Sequence, residues 1–226
     1  MQIPTRTGLI AVGWALSAVL IAVSPAAAHE IVGQVTPLMI HMKRALLLAD
    51  NGKPQDAVAE ARAVYEDFAH EMGMGMTMEG AGLKSTAAQV DRTFGTRLGE
   101  SLERALQQTD AEALEKAIQE LALLLMIEKF DAIQASFGKA TVTLDTQRTM
   151  FWLGRNYFSY LLEPTLAATD PIEEQRLDRM LDVMLYRLED GEHQSFLEVR
   201  RNLLGGITTA FHLTIPPQAS AEIPRG

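Results

Sequence analysis

Residues 111–137 constrain the fold more than any other part of the chain. Thr109-Asp110, directly before them, is a typical helix start signal. Apolar residues then cover most of the circumference of the predicted helix, and a helix that is apolar on nearly all sides must be surrounded by other elements. We therefore expect it to be the central helix of a bundle. Its apolar positions are Leu114, Ile118, Leu121, Leu124, Leu125, Ile127 and Phe130.

Six further segments have the 3.6-residue apolar period of amphipathic helices. Their expected ranges are 35–50, 54–72, 85–108, 145–168, 171–189 and 192–211. No segment is a convincing strand, so the sequence predicts an all-α protein, an antiparallel helical bundle of about six to seven helices. The bundle domain is expected at residues 29–213, with sub-bundles at 34–138 and 142–213 and a disordered tail at 214–226.

The first 28 residues have the pattern of a secretory signal peptide, with Arg6, an apolar run at 8–23 and small residues ending at Ala28. The run is shorter than the about 20 residues that a spanning helix needs. The chain has no cysteine, which excludes disulfides and thiolate metal sites. We therefore expect a periplasmic protein with no membrane span in its mature form. Cleavage would expose His29, whose amine and imidazole together could chelate a metal.

The net charge of −9 restricts the classes of partner. Nucleic acid requires a basic face, so it is not an expected partner, and anionic lipid is disfavoured in the same way. The chain also lacks the nucleophile-elbow, phosphate-loop, HExxH and dinucleotide motifs. We therefore do not expect an enzyme.

Residues 70–79 (HEMGMGMTME) hold four of the chain's 11 methionines, at every second position. Gly73 and Gly75 would each cost a helix about 1 kcal/mol, and a half-buried strand would favour β-branched or aromatic residues. The pattern therefore favours a flexible loop with a row of thioethers. Soft sulfur ligands select Cu(I), and imidazole suits copper and iron among other metals. The candidate ligands in this loop are Met72, Met74, Met76 and Met78.

Further candidate ligands lie in the two helices before this loop. The predicted second helix would place Glu66, Asp67 and His70 on one face. His41 and Met42 could reach the site if the first two helices form an antiparallel pair. Three other interpretations remain open: a hinge, a Met-rich surface that docks a partner, and a b-type haem bound by a His and a Met.

Residues 46–130 contain NGK at 51–53, AVAEARAVYEDF at 57–68 and VDRTF at 90–94, and a Leu-rich helix follows Thr109-Asp110. In this pattern the chain resembles the extracytoplasmic helical region of bacterial high-affinity iron permeases. The Arg-Glu-x-x-Glu motif of those permeases is absent, as is the His-x-x-Glu motif of their periplasmic iron-binding partners. The resemblance implies periplasmic metal handling and leaves the metal open.

The sequence thus predicts a periplasmic metal-binding protein in copper or iron trafficking, with Cu(I) or iron bound at the Met- and His-containing loop. A membrane metal transporter or another periplasmic protein is the expected partner. The alternative is a non-enzymatic interaction module whose Met-rich loop docks a partner. The full set of candidate metal ligands is His70, Met72, Met74, Met76, Met78, His41, Met42, Glu66 and His29.

Overall fold

The computed structural model describes residues 35–71 and 77–216, and for residues 70–71 and 77–78 it describes the backbone alone. The predicted signal peptide, His29 and most of the predicted tail lie outside the described residues. Met72, Met74 and Met76 also lie outside them.

The described chain is helical apart from one short hairpin, which confirms the predicted all-α helical bundle. The antiparallel strands are β1 (Phe68–Glu71) and β2 (Thr77–Gly80). A π-helical turn, Phe158–Leu162, joins α6 to α7. The helices are α1 (Pro37–Asp50), α2 (Pro54–Ala63), α3 (Leu83–Phe94), α4 (Leu98–Gln108), α5 (Ala111–Ser136), α6 (Leu144–Tyr157), α7 (Glu163–Thr169), α8 (Pro171–Glu189) and α9 (His193–Ala210).

Helix α5 is the central helix, as its apolar circumference predicts. The Asp110 side chain caps it by accepting a 3.0 Å hydrogen bond from the Ala113 amide. The helix contacts α1, α2, α3, α4, α6 and α9. Its buried apolar residues belong to one hydrophobic core with residues of every other helix in the described chain. This core continues across the loop between the two predicted sub-bundles.

The second helix ends earlier than its apolar period predicts, at Ala63 instead of about residue 72. The carbonyl oxygens of Val64 and Tyr65 accept 2.9 Å hydrogen bonds from the Leu83 and Lys84 amides at the start of α3. These bonds to a distant segment compete with the continuation of the helix, and local propensity is weak enough to be overridden in this way. The chain then enters β1, so the prediction that no strand would form is wrong at this point.

The predicted third helix is divided into α3 and α4 at Gly95, which adopts a left-handed conformation with φ of 66°. The Asp91 side chain stabilises the break. One of its oxygens accepts hydrogen bonds from Thr96 Oγ1 (2.6 Å) and the Leu98 amide (2.7 Å), and the other accepts one from the Gly99 amide (2.9 Å). A carboxylate in this position satisfies the first amides of α4 and suits the positive end of its dipole.

Candidate metal centre

The Met-rich stretch includes part of β2 and the five residues that connect the two strands. The strand register pairs His70 with Met78 and Phe68 with Gly80. Residues directly opposite each other in an antiparallel ladder share a face, and alternate residues along a strand return to that face. Positions 68, 70, 78 and 80 therefore lie on one face of the hairpin.

The base of the hairpin is fixed by polar contacts from Asp67. Its Oδ1 atom accepts hydrogen bonds from the Gly82 amide (2.8 Å) and from Ser85 Oγ (2.5 Å). The bond from the Gly82 amide, followed by the one from Ser85, lowers the pKa of the Asp67 carboxyl. Gly82 is required here because a Cβ atom would lie 2.2 Å from the carbonyl oxygen of Glu66. The hairpin thus begins and ends at a closely packed crossing of the chain.

His41 lies beside the hairpin, as expected if α1 and α2 pack against each other. The two helices do pack together, joined by a short turn. The His41 ring makes an edge-on contact with the Phe68 ring, with centroids 5.5 Å apart and planes at 85°. Its Nδ1 atom is 2.7 Å from Glu60 Oε1. Phe68 belongs to the hairpin face that also contains positions 70 and 78, so this face and His41 are neighbours.

Two other candidate ligands have different surroundings. Met42 is a core residue with 1% of its surface exposed, so its thioether is packed inside the bundle. Glu66 lies in the segment between α2 and β1, where its Oε1 atom accepts a 2.7 Å hydrogen bond from Lys84 Nζ. The prediction that Glu66, Asp67 and His70 share a helix face is wrong, because α2 ends at Ala63.

Among the side chains that the structure describes, no group of three or more His, Asp or Glu residues is arranged to hold a metal ion. The hairpin methionines belong to a different donor class, since a thioether is a soft neutral ligand. Glu60 and Phe68, which both contact His41, were not among the candidates from the sequence. Phe68 lies within the predicted helix at 54–72.

Within residues 35–71 and 77–216, no helix is long and apolar enough to cross a membrane. Comparisons of the chain with protein-family models, with curated proteins and with solved structures find no match. The resemblance to the iron permeases therefore rests on the sequence motifs alone.

Proposed function

We propose that the protein is a periplasmic metal-binding protein that acts in copper or iron trafficking, with the β1–β2 hairpin and His41 as its metal centre. The observation that supports this most is the hairpin register. It pairs His70 with Met78 on the face where Phe68 contacts the His41 ring. Two imidazole-bearing positions and a thioether-bearing position are thereby neighbours, and three more methionines follow in the connecting residues.

The donor types favour Cu(I) over iron. Thioethers are soft ligands that select Cu(I), whereas carboxylate and imidazole ligands are more typical of iron sites. Thioethers also bind without losing a proton, so acid would weaken Cu(I) binding less here than at a site made of histidines alone. Iron is retained as the second metal because of the resemblance to the iron permeases. A membrane metal transporter or another periplasmic protein would exchange the ion with this protein.

The proposal is tested by titrating the purified protein, without a His tag, with Cu(I) against a chromogenic chelator under anaerobic conditions. We expect tight uptake of at least one Cu(I), and weaker binding of Fe(II) in the same assay. Uptake of Fe(II) alone would indicate that the protein is an iron-binding protein. Uptake of neither metal would refute the metal-binding proposal and favour the alternative, in which the Met-rich stretch docks a partner protein.

A further inference from the structure

We propose that Glu60 is a positioning residue of the metal centre, which orients His41 so that the metal binds at its Nε2 atom. This inference rests on the proposed function, because it names the liganding atom of that same centre and the group that holds it in place. It adds a residue that lies outside the Met-rich stretch and comes from α2.

The inference is based on the contact between the His41 and Glu60 side chains. His41 Nδ1 and Glu60 Oε1 are 2.7 Å apart, and only 20% and 16% of the two side chains are exposed. A carboxylate accepts hydrogen bonds and cannot donate them when ionised, so Nδ1 carries the proton in this pair. In a neutral imidazole that tautomer leaves the lone pair on Nε2, the atom that a metal would use. Histidine ligands are commonly held by a carboxylate in this manner.

The hairpin holds the imidazole from a second side. The edge-on contact with Phe68, at a centroid distance of 5.5 Å, restricts rotation of the His41 ring. Phe68 itself fits closely over Gly80, since a Cβ atom at position 80 would lie 3.3 Å from Phe68 Cζ. The next pair on this face is His70 with Met78. Glu60 and Phe68 together therefore fix the His41 ring next to the hairpin face that contains positions 70 and 78.

A purely structural role for Glu60 is the competing explanation. Arg44 Nη1 lies 3.5 Å from the same Glu60 oxygen, so the carboxylate could simply connect α1 to α2. The Arg44 side chain is 63% exposed, and exposed ion pairs contribute little to stability. The shorter contact is the one with His41. The two explanations differ in what the loss of Glu60 does to His41 and to metal affinity.

The first experiment measures the His41 tautomer in the metal-free protein by long-range ¹H–¹⁵N NMR, at a pH where the imidazole is neutral. We expect the proton on Nδ1 in the wild type and in Glu60→Gln, since the amide oxygen can still accept the hydrogen bond. Glu60→Leu should shift the proton toward Nε2. A wild-type ring that carries its proton on Nε2 would overturn the inference.

The second experiment is a double-mutant cycle on Cu(I) affinity. Glu60→Leu should weaken Cu(I) binding by about 10- to 100-fold, as loss of a carboxylate behind a histidine ligand does. In a His41→Ala background the same substitution should have no further effect, and Arg44→Met should leave the affinity unchanged. Additive losses from Glu60→Leu and His41→Ala would overturn the inference alone. No Cu(I) uptake by the wild type would instead refute the proposed function and this inference with it.

Discussion

The core around α5 and the β1–β2 hairpin are stabilised in different ways. The core is a continuous apolar cluster, and Leu121 and Phe130 within it have no exposed surface. The hairpin consists of two four-residue strands whose base is held by the polar contacts of Asp67. A small two-stranded hairpin has little stability of its own and depends on what it packs against. Different residues thus stabilise the fold and provide the proposed metal ligands. Substitutions should therefore be able to change one of these properties without changing the other.

The largest effect on stability is expected from the core's buried charge. Arg200 is 1% exposed and forms hydrogen bonds with Asp131 and, at 2.9 Å, with Gln134 Oε1. Asp131→Asn should lower the free energy of unfolding by about 3 kcal/mol, because the buried guanidinium then faces a neutral amide in place of the Asp131 carboxylate. Denaturant unfolding measures this change, and Cu(I) affinity should stay the same.

Asp182→Asn is the matched control for this substitution. Asp182 also pairs with an arginine, Arg155, but 51% of its side chain is exposed. The expected loss is below about 1 kcal/mol. Equal losses from the two substitutions would contradict the assignment of Asp131 as the carboxylate that stabilises the buried Arg200 guanidinium.

The next largest effect is expected where Gly154 of α6 packs against Phe130 of α5. A Cβ atom at Gly154 would lie 2.6 Å from Cε1 of Phe130, whose ring is fully buried. Gly154→Ala should therefore destabilise the protein by about 1–3 kcal/mol through overpacking. Gly205→Ala in α9, where no atom lies within 4 Å of the added Cβ, should stabilise it by about 0.5–1 kcal/mol. Thermal unfolding of both variants checks the opposite signs.

An effect of similar size, but confined to the hairpin, is expected at the hairpin base. Asp67→Ala removes two hydrogen bonds to a carboxylate and should weaken the hairpin by about 1.5–3 kcal/mol. Hydrogen exchange should become faster at the Gly82 amide and stay slow in α5, and Ser85→Ala should have a smaller effect. Faster exchange throughout α5 would show that hairpin and core unfold together.

The hydrogen bonds accepted by Asp67 also predict the direction in which the stability of the protein changes with pH. The pKa of Asp67 is lowered in the folded protein, so its stabilising contribution is present above the pKa of the unfolded chain. This contribution is lost as the pH falls through the lowered folded-state pKa. The difference in stability between the wild type and Asp67→Ala should therefore disappear in acid.

The smallest effect is expected at Glu163, which follows the π-helical turn. Burial is the main cause that raises the pKa of its carboxyl, and a hydrogen bond from Ser159 partly opposes it. A raised carboxyl pKa means that the charged form destabilises the fold above that pKa. Glu163→Gln should thus stabilise the protein slightly at neutral pH, and the gain should vanish below the unfolded-state pKa. Unfolding measured against pH would contradict this if the variant were less stable at neutral pH.

The sequence predicts those elements whose signals are local. The bounds of α8 are the predicted ones, because Asp170 caps its first turn through a 3.0 Å hydrogen bond from the Glu173 amide and Asp190-Gly191 follows its end. The end of α2 could not be predicted, since it depends on hydrogen bonds from the start of α3, about 20 residues away. The break at Gly95 could not be predicted either, because an isolated glycine is tolerated within a helix and the Asp91 contacts that stabilise the break depend on tertiary structure.

The candidate site shows the same contrast between local signals, which the sequence contains, and contacts between distant segments, which it does not reveal. His41 was named from the sequence because a short turn after α1 implies an antiparallel pair of helices. Glu60 could not be named from the sequence, because its contact with His41 depends on how α1 and α2 pack. A carboxylate on a helix is also usually solvated. Arg200 was missed for a similar reason, since a single arginine in an amphipathic pattern carries no signal of burial.

The central claim, that the hairpin methionines form a Cu(I) site separate from the folded core, is tested most directly by one comparison. Cu(I) affinity is measured for a variant with leucine at 72, 74, 76 and 78 and for the control Met126→Leu/Met184→Leu, whose methionines are fully buried. We expect the hairpin variant to lose Cu(I) binding at unchanged helicity and the control to bind like the wild type. Unchanged affinity in the hairpin variant would contradict the claim.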